Sequence, residues 1–126
     1  MLVVDSIGMS RLAERSRRAA ALIATFRKEG LWPPVVPTVV LAESVSGRPR
    51  TDASVDRFLK GCQLDEKVSV ARARRAAEVR ARAGRGSAVD AVLVALAEPH
   101  GTVLTSDEDD LRALAAYAYD VTVEVV

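Results

Sequence analysis

Apolar positions follow two rhythms along this chain. Leu2-Val3-Val4, Val35-Val36 and Thr102-Val103-Leu104 are short, largely aliphatic runs, as expected of strands buried on both faces, and Val121-Thr122-Val123 predicts the last strand. Gly61 to Leu64 predicts one more strand. Between these runs the spacing turns helical. Ala19, Leu22, Ile23 and Phe26 mark a helix that Gly30 stops, with Ser10 and Ser16 as N-cap candidates after a turn around Gly8. Thr38 is expected to cap a helix running past Glu43 to Gly47. A loop with Pro49 then precedes a short helix through Val55, Phe58 and Leu59. An Arg/Ala-rich helix is predicted from about Ser69 to Ala83 and is broken by Gly84-Arg85-Gly86. Ser87 caps the next helix, Val89 to Ala97, and the acidic run Asp107 to Asp110 opens the last, through Leu111 and Leu114.

Strands alternating with helices predict an α/β fold: a parallel sheet of about five strands flanked by helices on both faces, forming one domain over residues 1–126. Its crossovers should be right-handed. The 126 residues and 49% apolar content are enough for a real core, built from Ala, Val and Leu more than from aromatics.

Charge changes the picture through its placement. The net charge is only +1, yet Arg72, Arg74, Arg75, Arg80, Arg82 and Arg85 crowd one segment and Asp107 to Asp110 another. Such zoning suits a polyanion at one place and a cation at the other. Cys62 and His100 are single, which excludes an intrachain disulfide and the usual Cys/His zinc sites; both are read as structural. No secretory signal and no apolar run of the roughly 20 residues that span a bilayer is visible, so a cytoplasmic protein without membrane contact is expected.

The topology converts scattered acids into a candidate site. Ligands of open α/β sheets sit beyond the carboxyl ends of the strands, where strand order reverses. Asp5 ends the first strand, and Asp107 lies just past the strand Thr102 to Leu104. Glu43 follows the second strand, and Asp90 lies in the first turn of a helix that starts at the same rim. Converging carboxylates repel one another, and a hard divalent cation removes the conflict; with oxygen donors alone, Mg²⁺ or Mn²⁺ fits best. Each acid also has a plainer role. Asp5 can cap a turn, Asp90 can complete a Ser-x-x-Asp capping box with Ser87, and Asp107 to Asp110 can favour a helix dipole. Glu43 alone resembles a surface glutamate, although Val39 and Val40 on its side of the helix argue that it faces inward. The arginine-rich helix, by composition, is a solvated face that also offers phosphate contacts. Trp32, Tyr117 and Tyr119 can stack on bases, but packing is their commoner fate.

Val3-Val4-Asp5-Ser6, Leu41-Ala42-Glu43, Ser87-Ala88-Val89-Asp90-Ala91 and Val103-Leu104-Thr105-Ser106-Asp107 together resemble the four acidic motifs of PIN-domain ribonucleases, in order and over nearly the whole chain. Within that family the compact length and the Thr105 to Leu111 stretch look most like VapC toxins of VapBC toxin–antitoxin pairs. The resemblance implies a Mg²⁺- or Mn²⁺-dependent endoribonuclease and a homodimer. It also implies a VapB-type antitoxin whose C-terminal segment enters the acidic groove. Carried over residue by residue, Asp5, Glu43, Asp90 and Asp107 would be the metal-binding acids and Ser6 a positioning hydroxyl. Asp109 is slightly preferred over Asp110 as a further acid. Three alternatives remain at this level: a catalytically inactive module that binds RNA or protein, a DNA nuclease, and a phosphoacceptor receiver domain. The last would want a second acid after the first strand and a late lysine, and no lysine follows Lys67.

Overall fold

The computed structural model describes residues 1–126. Five strands form one parallel sheet: β1 (Leu2–Val4), β2 (Val35–Pro37), β3 (Gln63–Asp65), β4 (Thr102–Thr105) and β5 (Thr122–Val125). Their order is β3-β2-β1-β4-β5, so β1 and β4 lie side by side at the sheet's centre although about a hundred residues separate them in sequence. Val3 faces Val35 on one side and Val103 on the other. Leu2, Val3, Val4, Val103 and Leu104 have no exposed surface, which is what unbroken apolar runs at the centre of a parallel sheet require.

The first two crossovers move toward β3 and the later ones toward β5. With right-handed connections, helices on opposite legs fall on opposite faces. On one face α1 (Ser6–Ala13) is the hub against which α2 (Arg17–Lys28), α3 (Leu41–Ser44) and α4 (Pro49–Leu59) pack. On the other, α5 (Val70–Ala83), α6 (Ala88–Ala97) and α7 (Glu108–Ala115) pack on one another, with α6 against β1 and β4. Ala91 and Leu93 to Ala97 of α6 are all buried, consistent with its nearly uniform apolar sequence.

Several boundaries differ from the sequence reading for definable reasons. Gly8 lies inside α1 rather than in a turn, because Asp5, one residue beyond β1, itself caps that helix. Ser10 is then mid-helix, and its hydroxyl donates to the Ser6 carbonyl. Ser16 does cap α2. Thr38 caps nothing; Thr38–Val40 is a 3-10 turn running into the four-residue α3. Pro49 begins α4 instead of lying in a loop, since the first helical position needs no N–H donor. Asp52 ties the preceding loop by accepting from the backbone N–H groups of Ser46 and Gly47. β3 starts two residues late because Gly61 and Cys62 still donate to Phe58 and Leu59 at the end of α4. No helix is long and apolar enough to cross a membrane.

Gly8 is the tightest joint near the centre. A Cβ there would meet the Leu104 carbonyl oxygen at 2.7 Å and Asp5 Oδ1 at 2.9 Å. Gly8→Ala must therefore push α1 off the ends of β1 and β4, an overpacking expected to cost about 2 kcal/mol. Urea denaturation checks this: an unchanged midpoint would mean that the joint yields freely.

Candidate metal centre

Asp5 is the deepest of the acids, with only 7% of its surface exposed. Both carboxylate oxygens are engaged. Oδ1 accepts from Gly8 N, which is the N-cap bond of α1, and Oδ2 accepts from the Thr105 hydroxyl at the end of β4. Thr105 Oγ1 in turn accepts from Asp107 N at 2.8 Å. A chain of hydrogen bonds thus runs from the start of α1 through Asp5 and Thr105 to the start of α7. Burial pushes the Asp5 carboxyl above the usual carboxylate range. The bonds from Thr105 and Gly8 pull the other way, and the charges of Asp90 and Asp107 add to the rise.

Asp90 and Asp107 each perform a local task at a helix start. Ser87 Oγ accepts from Asp90 N, and Asp90 Oδ2 accepts from Ser87 N, a complete capping box. Asp107 is the N-cap of α7 and accepts from Asp110 N. Asp110, one turn into α7, is brought back beside its cap. Asp90, Asp107 and Asp110 each present an oxygen within 4.8 Å of the others. Asp109, the acid slightly preferred from sequence, is exposed and outside this trio. With Asp107 as N-cap, the third residue of α7 turns toward the cap and the second turns away.

Glu43 is exposed rather than inward-facing, because the short α3 buries Val40 and Ser44 and leaves the glutamate on its outer side. Its Oε2 accepts a long 3.5 Å bond from the Ser6 hydroxyl, which ties it to the first turn of α1 just beyond Asp5. Neither Asp5 nor Glu43 belongs to the close trio.

The donors are all carboxylate oxygens. Asp90, Asp107 and Asp110, with oxygens within 4.8 Å of one another, would be the residues to hold a small hard cation. The like charges gathered here, two of which add to the burial-driven rise of Asp5, give a cation its electrostatic reason to bind. The donor set fits a hard divalent ion.

The PIN domain family model matches residues 3–117. The chain belongs to the PIN domain family. That family suggests a nuclease, and its expected α/β architecture is the one described above. No curated protein matches the chain.

Four of the six arginines between Arg72 and Arg85 have acidic partners in this PIN domain. Arg75 forks onto Glu98 with a shortest contact of 2.7 Å, donates to the Tyr117 carbonyl and lies over the Tyr119 ring. Arg72 pairs with Asp65, Arg82 with Glu78 and Arg85 with Asp110. Trp32 meets the Phe58 ring edge-on and lies beneath Arg27. Cys62 donates to the Phe58 carbonyl, and burial pushes its thiol up to about 11, where it is inert. His100 pairs with Asp120 in an exposed turn. Thr105 was not singled out from sequence. The signal for it was the adjacency of β1 and β4, which places the last residue of β4 beside the last of β1.

Thr105→Val removes a donor that favours the charged form of Asp5 and orphans Asp107 N. The expected loss is about 2 kcal/mol at neutral pH, as for a buried bond to a charged group. Asp5's folded pKa is raised, so acidification through that value neutralises the carboxyl and removes part of the deficit. Urea curves of both proteins at neutral and mildly acidic pH check this; a deficit that grows on acidification would refute the role given to Thr105.

Proposed function

We propose that this protein is a Mg²⁺- or Mn²⁺-dependent endoribonuclease acting as the toxin of a VapBC-type toxin–antitoxin pair. The observation that carries the metal-dependent reading is the trio Asp90, Asp107 and Asp110, gathered within 4.8 Å at the rim of a PIN domain with Asp5 behind it. In this reading Asp5, Glu43, Asp90 and Asp107 are the acids of the site, Asp110 rather than Asp109 is the additional ligand, and Ser6 is the positioning hydroxyl.

A divalent ion bound there supplies Lewis acidity toward a phosphoryl oxygen and makes a nearby water more acidic. The chain's own residues do the rest. Asp90, Asp107 and Asp110 provide the oxygen ligands from two helix starts. The bonds from Thr105 and Gly8 favour the charged form of Asp5, behind the trio. Glu43, steadied by Ser6, reaches the same rim from α3, where it takes up the proton released as water attacks the phosphorus. One P–O bond forms to the water oxygen, the bond to the leaving ribose oxygen breaks, and that oxygen leaves as a hydroxyl after taking a proton from solvent water. The toxin assignment rests on the likeness of the Thr105 to Leu111 stretch to VapC toxins. It brings with it a homodimer in the cytoplasm and a VapB-type antitoxin whose tail covers the acids.

Incubation of the protein with a structured RNA pool in Mg²⁺, Mn²⁺ or EDTA tests this, beside Asp90→Asn and Asp107→Asn. Both variants keep their capping bonds. Cleavage should need the ion and fall at least about a hundredfold in each variant, a loss of roughly 3 kcal/mol in transition-state stabilisation. In EDTA, Asp107→Asn should unfold at the same temperature as wild type or about 2 °C higher, since it relieves repulsion. The stabilisation that Mn²⁺ gives the wild type should disappear. Equal cleavage by all three proteins would remove the acids from the reaction.

A further inference from the structure

The acid trio has one cationic neighbour, and that residue also borders a cleft the proposed chemistry leaves unused. Arg85 stands in the Gly84-Arg85-Gly86 connection between α5 and α6, and its Nε donates to Asp110 Oδ1 at 2.6 Å. The side chain remains 53% exposed, and neither Nη makes a hydrogen bond. Arg80, near the end of α5, is arranged in the same way: its Nε donates to the Gly86 carbonyl at 3.0 Å and its Nη groups point to no partner. Together with Ala77, Ala81, Gly84 and Gly86 they line an open cleft of about 390 Å³. The other lining residues are too small to fill it, so the two guanidinium ends are the only charged groups facing it.

The cleft is fixed against the acids. A Cβ on Gly86 would meet Leu114 Cδ1 at 2.7 Å, so the loop lies flat on α7, the helix that bears Asp110 and follows Asp107. The next residue, Ser87, caps the helix that bears Asp90. Two guanidinium groups, each anchored through Nε with its outer N–H groups free, match the oxygens of a phosphodiester. The Asp110 pair is too exposed to matter much as a fastener, because such pairs contribute at most about 1 kcal/mol and Gly86 already anchors the loop by packing.

We propose that Arg80 and Arg85 form a phosphate subsite for the RNA strand beside the acid trio, with Asp110 holding Arg85 in position for it. The inference rests on the nuclease reading for the identity of the polyanion. It carries a consequence of opposite sign for the metal. Arg85 and a divalent ion compete for the same Asp110 carboxylate, so removing the arginine weakens RNA binding while leaving the ion as tightly held or more so.

The test measures anisotropy of a fluorescein-labelled single-stranded RNA in EDTA over a salt series, for wild type, R80Q/R85Q and R85K. Mn²⁺ binding without RNA is followed separately by electron paramagnetic resonance. The double variant should bind RNA about tenfold more weakly at low salt, and the slope of log affinity against log salt should fall by roughly 1. R85K should keep the slope and lose part of the affinity, and R80Q/R85Q should hold Mn²⁺ at least as tightly as wild type. An unchanged slope in R80Q/R85Q, even with a lowered unfolding temperature, would overturn the subsite. A wild type that holds no Mn²⁺ but binds RNA through the two arginines would overturn the metal-nuclease reading alone.

Discussion

A carboxylate that is almost wholly buried must find partners or lose its charge, and Asp5 meets that constraint in a way that organises the rest of the molecule. Its two oxygens are taken by the first turn of α1 and the last residue of β4. The end of β1, the start of α1 and the end of β4 are therefore locked to one another by a single side chain. Gly8 must be a glycine because this lock leaves no room for a side chain between α1 and the strand ends. Thr105 must carry a hydroxyl because it donates to Asp5 and accepts from Asp107 N.

The remaining acids are placed by work that has nothing to do with a metal. Asp90 completes a capping box, and Asp107 caps α7. Each sits where backbone N–H groups and the helix dipole favour negative charge, which offsets part of the repulsion of gathering them. A site assembled from caps inherits the rigidity of helix starts. It also explains why Asp110, rather than its neighbour Asp109, joins the group: the third helical residue turns toward the cap. Arg85 adds a cation at the edge of the same group.

Much of this was legible in the sequence. Apolar runs located β1, β2 and β4, Ser16, Ser69 and Ser87 marked helix starts, and strand-end logic brought Asp5, Asp90 and Asp107 to one rim. The illegible parts depend on relations that local pattern does not encode. Gly8 was read as a turn because its packing against Leu104 is a contact across the sheet. Pro49 was read as loop because a helix-starting proline and a loop proline look alike in sequence. Glu43 was placed inward from its valine neighbours, but α3 is too short for that periodicity to hold. The arginines from Arg72 to Arg85 read as one basic face; Glu98, Asp65, Glu78 and Asp110 divide four of the six into separate ion pairs.

The sheet order has a consequence for the making of the protein. β1 is synthesised before β4 and takes its place beside it only after β2, β3 and the helices between them exist as chain. A nascent polypeptide therefore carries Asp5 and Glu43 long before it has Thr105 to hold Asp5 or Asp107 and Asp110 to complete the rim. The acids are dispersed ornaments on an unfinished chain and become a centre only at the closing of the sheet. That late assembly is a built-in delay between translation and the first complete acidic rim.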